Sequence, residues 1–318
     1  SLDGVDDFAS APDSASLKLG QQQTIEGWTK FNNNFNDSSS SKRQVVADKG
    51  DYQVYYNNET GKLTYELANN SANTWSQAAG NGTIDGSWDQ SGVQGVFDQV
   101  KMGSDIYAST AGAVGDAQVW KWDGSTWTMI GGGANAVNGS WDANTYEGAY
   151  AFATDGTNIY VGLGETAGDG EVWRWDGNSW TKIGGDSING GWTNYAENVY
   201  SLAFYRGELF AGIGRSTGDA ELWKWNGRAW SKIGGDGVSG SWGASPDQES
   251  IQSLIAYNDK LIVGLGDTAG DADVWQYDGS SWTQIGGDDL NSSWSSGTFY
   301  YTKTLVVYNG DLYAGLGY

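Results

Sequence analysis

Cysteine and histidine are absent from the 318 residues of this chain. Without cysteine there is no disulfide framework, no thiolate nucleophile and no thiolate zinc site. Without histidine the commonest general base and the commonest transition-metal ligand are missing. A serine triad, a His-based metal site and a Cys–His dyad are therefore excluded, and an enzyme would be confined to carboxylate, Lys or Tyr chemistry or a hard, oxygen-bound metal. Proline is scarce, 2 residues against 49 glycines. With abundant Asn, Ser and Thr, this composition suits tight turns and β-structure rather than helix. Basic residues are also few: 17 Lys+Arg face 39 Asp+Glu, a net charge of −22. Such a chain repels nucleic acids and anionic membranes, so neither is expected as a partner. A neutral polysaccharide or glycoprotein glycans fit the charge better. No apolar run reaches the length of a membrane span. No signal peptide is visible at Ser1, and the chain opens inside what reads as a domain, as expected of a processed or cropped end.

What the chain does contain is a repeat. A Gly-Asp phrase recurs as GDAQVWKWDGSTWTMIGG from Gly115, GDGEVWRWDGNSWTKIGG from Gly168, GDAELWKWNGRAWSKIGG from Gly218 and GDADVWQYDGSSWTQIGG from Gly270, at spacings of 53, 50 and 52 residues. Each unit reads as four short strands. The first two, for example 202–205 and 208–213, flank a tight turn at Arg206-Gly207. The last two flank Asp123-Gly124, Asp176-Gly177, Asn226-Gly227 or Asp278-Gly279, pairs that supply the positive φ of a two-residue hairpin. Gly-x-Gly recurs in the second strand (Gly162/Gly164, Gly212/Gly214, Gly264/Gly266, Gly315/Gly317). Glycine weakens a strand, so its recurrence there predicts close backbone approach near a central axis. The fold class expected is all-β, a β-propeller of four-stranded blades.

Whole units cover 95–146, 147–198, 199–250 and 251–302. Residues 303–318 then supply only a first hairpin, while 65–94 align with a second one: Trp75 lies 52 residues before Trp127, and Trp88 lies 53 before Trp141. Pairing the two halves predicts five blades in a closed ring without an open sheet edge. The alternative pairs the half-blades between neighbouring molecules and builds a filament.

Residues 1–64 have a different texture and are expected to form a separate β-rich extension. Leu2-Asp3-Gly4-Val5-Asp6-Asp7, the Pro12-Asp13-Ser14 turn, Ile25-Glu26-Gly27-Trp28 and Lys49-Gly50-Asp51-Tyr52 ahead of an alternating strand resemble the opening half of a laminin-G-like, concanavalin-like domain. The resemblance covers about 65 residues. It implies an adhesion or glycan-binding module, in some members with calcium, although the later strands that usually carry ligands are missing.

Trp120/Trp122, Trp173/Trp175 and Trp223/Trp225 are two apart on one strand face, as are core residues packed between blades; Trp127, Trp180, Trp230 and Trp282 read the same way. A second Trp set, Trp88, Trp141, Trp192, Trp242 and Trp294, ends polar segments such as GGDSINGGW. With Asn138, Asn189 and Asn291, and with Asp186, Asp236 and Asp288, it forms the candidate glycan site, indoles stacking on sugar rings and amides bonding hydroxyls. In blade number and aromatic richness this resembles tachylectin-type five-bladed lectins. The competing reading makes these Trp plugs between blades. Asp116, Asp169, Asp219 and Asp271 of the Gly-Asp phrase are each followed by Ala or Gly, unlike a calcium loop with carboxylates at alternating positions. They are expected to be turn or strand caps, and no cofactor is expected. Asp247 and Glu249 are the unmatched acids, the candidates for a glycoside hydrolase. The function expected is a non-enzymatic extracellular or cell-surface structural or adhesion module, glycan-binding through the Trp loops. The alternatives are a subunit of a filament or surface layer made of copies of itself, and, more weakly, the hydrolase.

Overall fold

A computed structural model describes residues 43–48, 53–57, 62–66, 77–80, 84–88, 93–133, 135–142, 146–193, 195–214, 220–242, 249–295 and 297–318. The chain divides into two compact units, Ser1–Ser76 and Gln77–Tyr318. In the first, β1 (Arg43–Asp48), β2 (Gln53–Asn57) and β3 (Lys62–Glu66) form an antiparallel sheet in chain order. β2 is the strand expected after Lys49-Gly50-Asp51-Tyr52. All four segments that carry the laminin-G resemblance, Lys49-Gly50-Asp51-Tyr52 included, lie outside the described residues. β3 runs across the position expected as a boundary, 64/65: Tyr65 pairs with Val54 and Glu66 with Gln53. The hairpin register requires all five residues of β3, and the chain divides after Ser76.

The second unit is a succession of antiparallel blades. The first comprises β4 (Gly95–Met102), β5 (Asp105–Ala111), β6 (Gln118–Trp122) and β7 (Trp127–Gly131). The second comprises β8 (Gly148–Thr154), β9 (Ile159–Gly164), β10 (Val172–Trp175) and β11 (Trp180–Gly184). The third comprises β12 (Asn198–Tyr205), β13 (Glu208–Gly214), β14 (Glu221–Trp225) and β15 (Trp230–Gly234). The fourth comprises β16 (Ile251–Tyr257), β17 (Lys260–Leu265), β18 (Val274–Tyr277) and β19 (Trp282–Gly286). A hairpin of β20 (Tyr301–Tyr308) and β21 (Asp311–Gly317) follows. The fold is an all-β propeller architecture: β4, β8, β12, β16 and β20, the first strand of every unit, line one shared cavity.

Local chemistry explains each blade. Arg206 (φ 50) and Gly207 (φ 79) form the expected left-handed two-residue turn. The second hairpin differs from expectation. Trp122 pairs with Trp127, Trp175 with Trp180 and Trp225 with Trp230, so its loop holds four residues. Gly124 alone of the Asp123-Gly124 pair has positive φ. The Asp123 carboxylate accepts the N–H groups of Ser125 (2.8 Å) and Thr126 (2.9 Å), an Asx turn. Asp176, Asn226 and Asp278 do the same in their units. Those donors hold the exposed Asp123 carboxyl down to about 2.

Blades are joined where the end of one second strand bridges the start of the next first strand: Ala111 with Gly148, Gly164 with Asn198, Gly214 with Ser250 and Gly266 with Tyr301. This joint begins β12 at Asn198, earlier than its sequence pattern indicates. The Gly-x-Gly pattern is what lets the strands meet. A Cβ on Gly212 would lie 2.5 Å from Ile251 Cγ2, and one on Gly214 would lie 2.0 Å from the Glu249 carbonyl oxygen. The apolar cores lie between units. One cluster joins Tyr107, Val119 and Ile130 to Phe152, Val161, Trp175 and Trp180, and similar clusters follow at the next two boundaries.

The succession of units differs at its two ends. Ala149, Val199, Ile251 and Thr302 are each 0% exposed, yet their repeat equivalent Val96 is 38% exposed. On β20 and β21, Val306, Val307, Tyr308 and Tyr313 are exposed as well. Among the described residues no strand pairs with the outer edge of β21.

Candidate functional site

The loop Trp set is placed inside the protein. Trp141, Trp192 and Trp242 are 1–3% exposed and Trp88 is 8% exposed, while Trp294 is half-buried. Their indole N–H groups are used internally: Trp141 donates to the Ala117 carbonyl (2.8 Å), Trp192 to Gly170, Trp242 to Ala220 (2.7 Å) and Trp294 to Ala272 (2.9 Å). Trp141, Trp192 and Trp242 each meet two other indoles edge-on, as Trp192 meets Trp223 (5.7 Å) and Trp230 (5.3 Å). The Trp faces expected to stack on a sugar are therefore covered, because the polar loop folds back and drives its closing indole into the gap between blades. Asn138, Asn189 and Asn291 are left-handed turn residues (φ 57, 54 and 51). Their amides donate to the carbonyls of Ile130, Ile183 and Ile285. Of the flanking acids, Asp186 pairs with Lys182 and Asp288 accepts the Gly297 N–H. Trp141, Trp192 and Trp242 thus pack between blades.

The Gly-Asp acids are caps. Asp116 accepts the Ala113 N–H, and Asp169 and Asp271 accept the N–H and hydroxyl of Thr166 and Thr268. Asp219 and Asp247 lie outside the described residues. Two buried acids, Glu171 and Glu221, sit beside inter-blade Trp rings and pair with Lys182 and Lys232. Burial raises the Glu171 pKa while the ammonium opposes the shift.

The departure from repetition lies at the axis. Phe97, Tyr150, Tyr200, Gln252 and Lys303 occupy one position of the first strand in five successive units. All five line a cavity of about 330 Å³, together with Asp98, Ser201 and Leu254 among others. Phe97 meets Tyr150 edge-on (5.3 Å) and Tyr150 meets Tyr200 (5.8 Å), an aromatic arc. The Tyr150 hydroxyl donates to Glu165, and the Asn198 amide donates to the Tyr200 hydroxyl (3.1 Å). Opposite in character is the pair in which Lys303 Nζ donates to Gln252 Oε1 (2.9 Å). Burial lowers the Lys303 pKa, and Asp267 opposes that shift. Asp98, the cavity's acid, accepts the backbone N–H groups of Phe152 (2.6 Å) and Gln99 (2.7 Å). Burial raises its pKa against those bonds.

These lining residues escaped sequence reasoning because each reads as one more alternating strand residue. The available signal was contrast: the Trp and Gly positions repeat faithfully, whereas this position runs Phe, Tyr, Tyr, Gln, Lys. Chemically, the cavity offers ring faces and edges on one side and amide and ammonium donors on the other. That combination binds a polyhydroxylated ring, whose C–H face suits an aromatic surface and whose hydroxyls need directional partners.

No protein-family model and no curated protein matches the sequence. Solved structures similar to the chain include the lectin of Aleuria aurantia in complex with Fucα1-6GlcNAc (15% identity, TM-score 0.45, 83% of this chain and 82% of that one). The WD40 β-propeller domain of Doa1 matches at 13% identity and TM-score 0.37, over 60% of this chain and 54% of its own. The acylaminoacyl peptidase of Pyrococcus horikoshii matches at 11% identity and TM-score 0.36, over 75% of this chain. This chain spans only 31% of the peptidase. The fold is defined by the strand pairing and the shared cavity.

Proposed function

We propose that the chain is a non-enzymatic carbohydrate-binding module of an extracellular or cell-surface setting, holding a glycan residue in the axial cavity rather than on the Trp loops. The observation that carries this reading is the convergence of five residues from one repeat position, Phe97, Tyr150, Tyr200, Gln252 and Lys303, whose side-chain types vary in a scaffold that otherwise repeats. The volume falls at the lower end of the roughly 300–1,000 Å³ of small-molecule sites. A single carboxylate, Asp98, lines it, whereas a glycoside hydrolase usually needs two flanking the scissile bond. Titration with a panel of mono- and oligosaccharides tests the reading. The expected result is saturable binding that Tyr150→Ala combined with Tyr200→Ala removes while the thermal unfolding transition stays cooperative. Binding that survives the double variant, or no binding to any sugar, defeats it.

One observation favours a second reading, assembly with copies of itself. Val96 and Phe97 on β4 and Val306, Tyr308 and Tyr313 on the last hairpin are exposed where the other boundaries are packed. Apolar strand faces of this kind are candidates for exchange between molecules. Light scattering across a concentration series tests it, and a strictly monomeric particle at every concentration defeats it.

A further inference from the structure

Resting on the cavity reading above, we infer that the site selects a sugar ring bearing a carboxylate, a uronic acid, with Lys303 as the counter-ion that sets the specificity.

Several cations of this acidic chain are held by its own acids. Lys121 pairs with Asp105, Lys182 with Glu171 and Asp186, Lys224 with Glu208, Lys232 with Glu221 and Arg206 with Asp259. Among the described cations without such an ion pair, Lys303 is the one that lines the cavity. Its hydrogen-bond partner is the neutral amide oxygen of Gln252, and its ammonium lies 5.6 Å from the Tyr301 ring centroid. An ammonium has three donors, and one is used by Gln252. In a protein with 39 acids to 17 bases, a cation that faces a cavity with an amide for a partner is equipped to meet an acceptor from outside.

The nearby acids do not fill that role. Asp98 lines the same cavity but its two oxygens accept the N–H groups of Phe152 and Gln99, and Glu165 accepts the Tyr150 hydroxyl. Asp267 acts on Lys303 through charge. Lys303 is exposed on the cavity side, so its ammonium is open to a ligand, and the partial burial it does have depresses its pKa. A ligand carboxylate would meet it in a bond stronger than a neutral one. The Gln252 amide is held by Ser250, its Nε2 donating to Oγ at 2.7 Å, so the Lys–Gln pair presents a fixed polar wall. The ring's C–H face would lie toward Tyr150 and Tyr200. The overall charge of −22 slows the approach of an anion, but repulsion at distances beyond roughly 8 Å is screened at physiological salt and leaves the contact itself intact.

The test uses the full chain and the methyl glycosides of glucose, galactose and mannose beside their matching uronic acids, titrated by calorimetry in low and high salt. At least one uronate is expected to bind about tenfold more tightly than its neutral counterpart. That advantage should shrink in high salt, disappear in Lys303→Met and persist in Lys260→Met, which loses the same charge outside the cavity lining. Equal affinity for every neutral and acidic pair, or a preference that survives Lys303→Met, overturns the inference and leaves the glycan reading standing. Absence of binding to all six sugars overturns the glycan reading and the inference with it.

Discussion

The indole N–H of Trp230 donates to the carbonyl oxygen of Ile183 across a blade boundary, at 2.8 Å. The same bond recurs from Trp180 to Ile130 (2.7 Å), from Trp282 to Ile233 (2.9 Å) and from Trp127 to Ala78 (3.0 Å). One sequence-distant hydrogen bond thus recurs at the fourth strand of all four blades, and from the second blade on it ties that strand to the blade before it. Trp230→Phe keeps most of the buried ring area but leaves the Ile183 carbonyl without this donor. The Ile183 carbonyl keeps the Asn189 amide, so the loss should be that of one hydrogen bond, about 0.5–1.5 kcal/mol, read as a lower urea midpoint with an unchanged slope.

Trp192 closes the polar loop beneath the same boundary and is 1% exposed. Trp192→Ala removes an indole packed against Trp223 and Trp230 and a donor to Gly170. Core Trp-to-Ala changes cost about 3–5 kcal/mol. A loss of that size in chemical denaturation fits a plug between blades; a variant as stable as the parent would contradict this placement.

Glu171 and Lys182 form an ion pair in which the acid is almost completely buried. Removing one partner strands the other. Lys182→Met should therefore destabilise by about 3–5 kcal/mol, more than the double change of Glu171→Met with Lys182→Met, since two well-packed apolar side chains can replace a buried pair at little cost. A double-mutant cycle measures the difference, and purely additive losses would show that the pair acts as two independent groups.

Asp273 occupies the place of Glu171 in the fourth blade, but Gln284 stands where Lys182 would be. Burial raises its carboxyl to about 6, helped by the charges of Asp288 and Asp271. Such a group binds protons more strongly in the folded state between its ordinary value of 3.8 and about 6, so it makes stability fall as pH rises through that window. Asp273→Asn should raise the thermal midpoint at pH 8, where the parent holds a poorly compensated charge. The gain should vanish near pH 4, where the parent carboxyl is protonated. Equal gains at both pH values would point to packing rather than ionisation.

Much of this fold is legible in the chain because its backbone demands are written in residue types. Four Asx-Gly pairs at fixed spacing mark the outer hairpins, and Gly-x-Gly marks the places where neighbouring strands touch. The loop length of those hairpins is less legible, since it depends on where Trp122 meets Trp127 across the strands, a tertiary packing choice. The orientation of Trp141, Trp192 and Trp242 is also hidden: an indole after a polar segment reads equally as a ligand platform or a plug. The cavity was least visible. Phe97, Tyr150, Tyr200, Gln252 and Lys303 are far apart in sequence and acquire a common direction only when five first strands gather round one space.

Gly212 and Gly315 occupy equivalent positions in the third and fifth units but meet different surroundings. A Cβ on Gly212 would meet Ile251 of the next blade at 2.5 Å and the Ser201 hydroxyl at 2.4 Å. On Gly315 the contact below 3 Å is to Thr304 Oγ1, within its own hairpin. Overpacking a filled boundary costs about 1–3 kcal/mol or more, so Gly212→Ala should lower the unfolding midpoint more than Gly315→Ala does. The comparison also reads the last boundary. If β4 of the same molecule or of a second copy seats itself on the Gly315 strand in solution, as Ile251 seats on Gly212, the two variants should be equally harmful. A second copy, unlike closure within the chain, would also make the Gly315→Ala penalty grow with protein concentration.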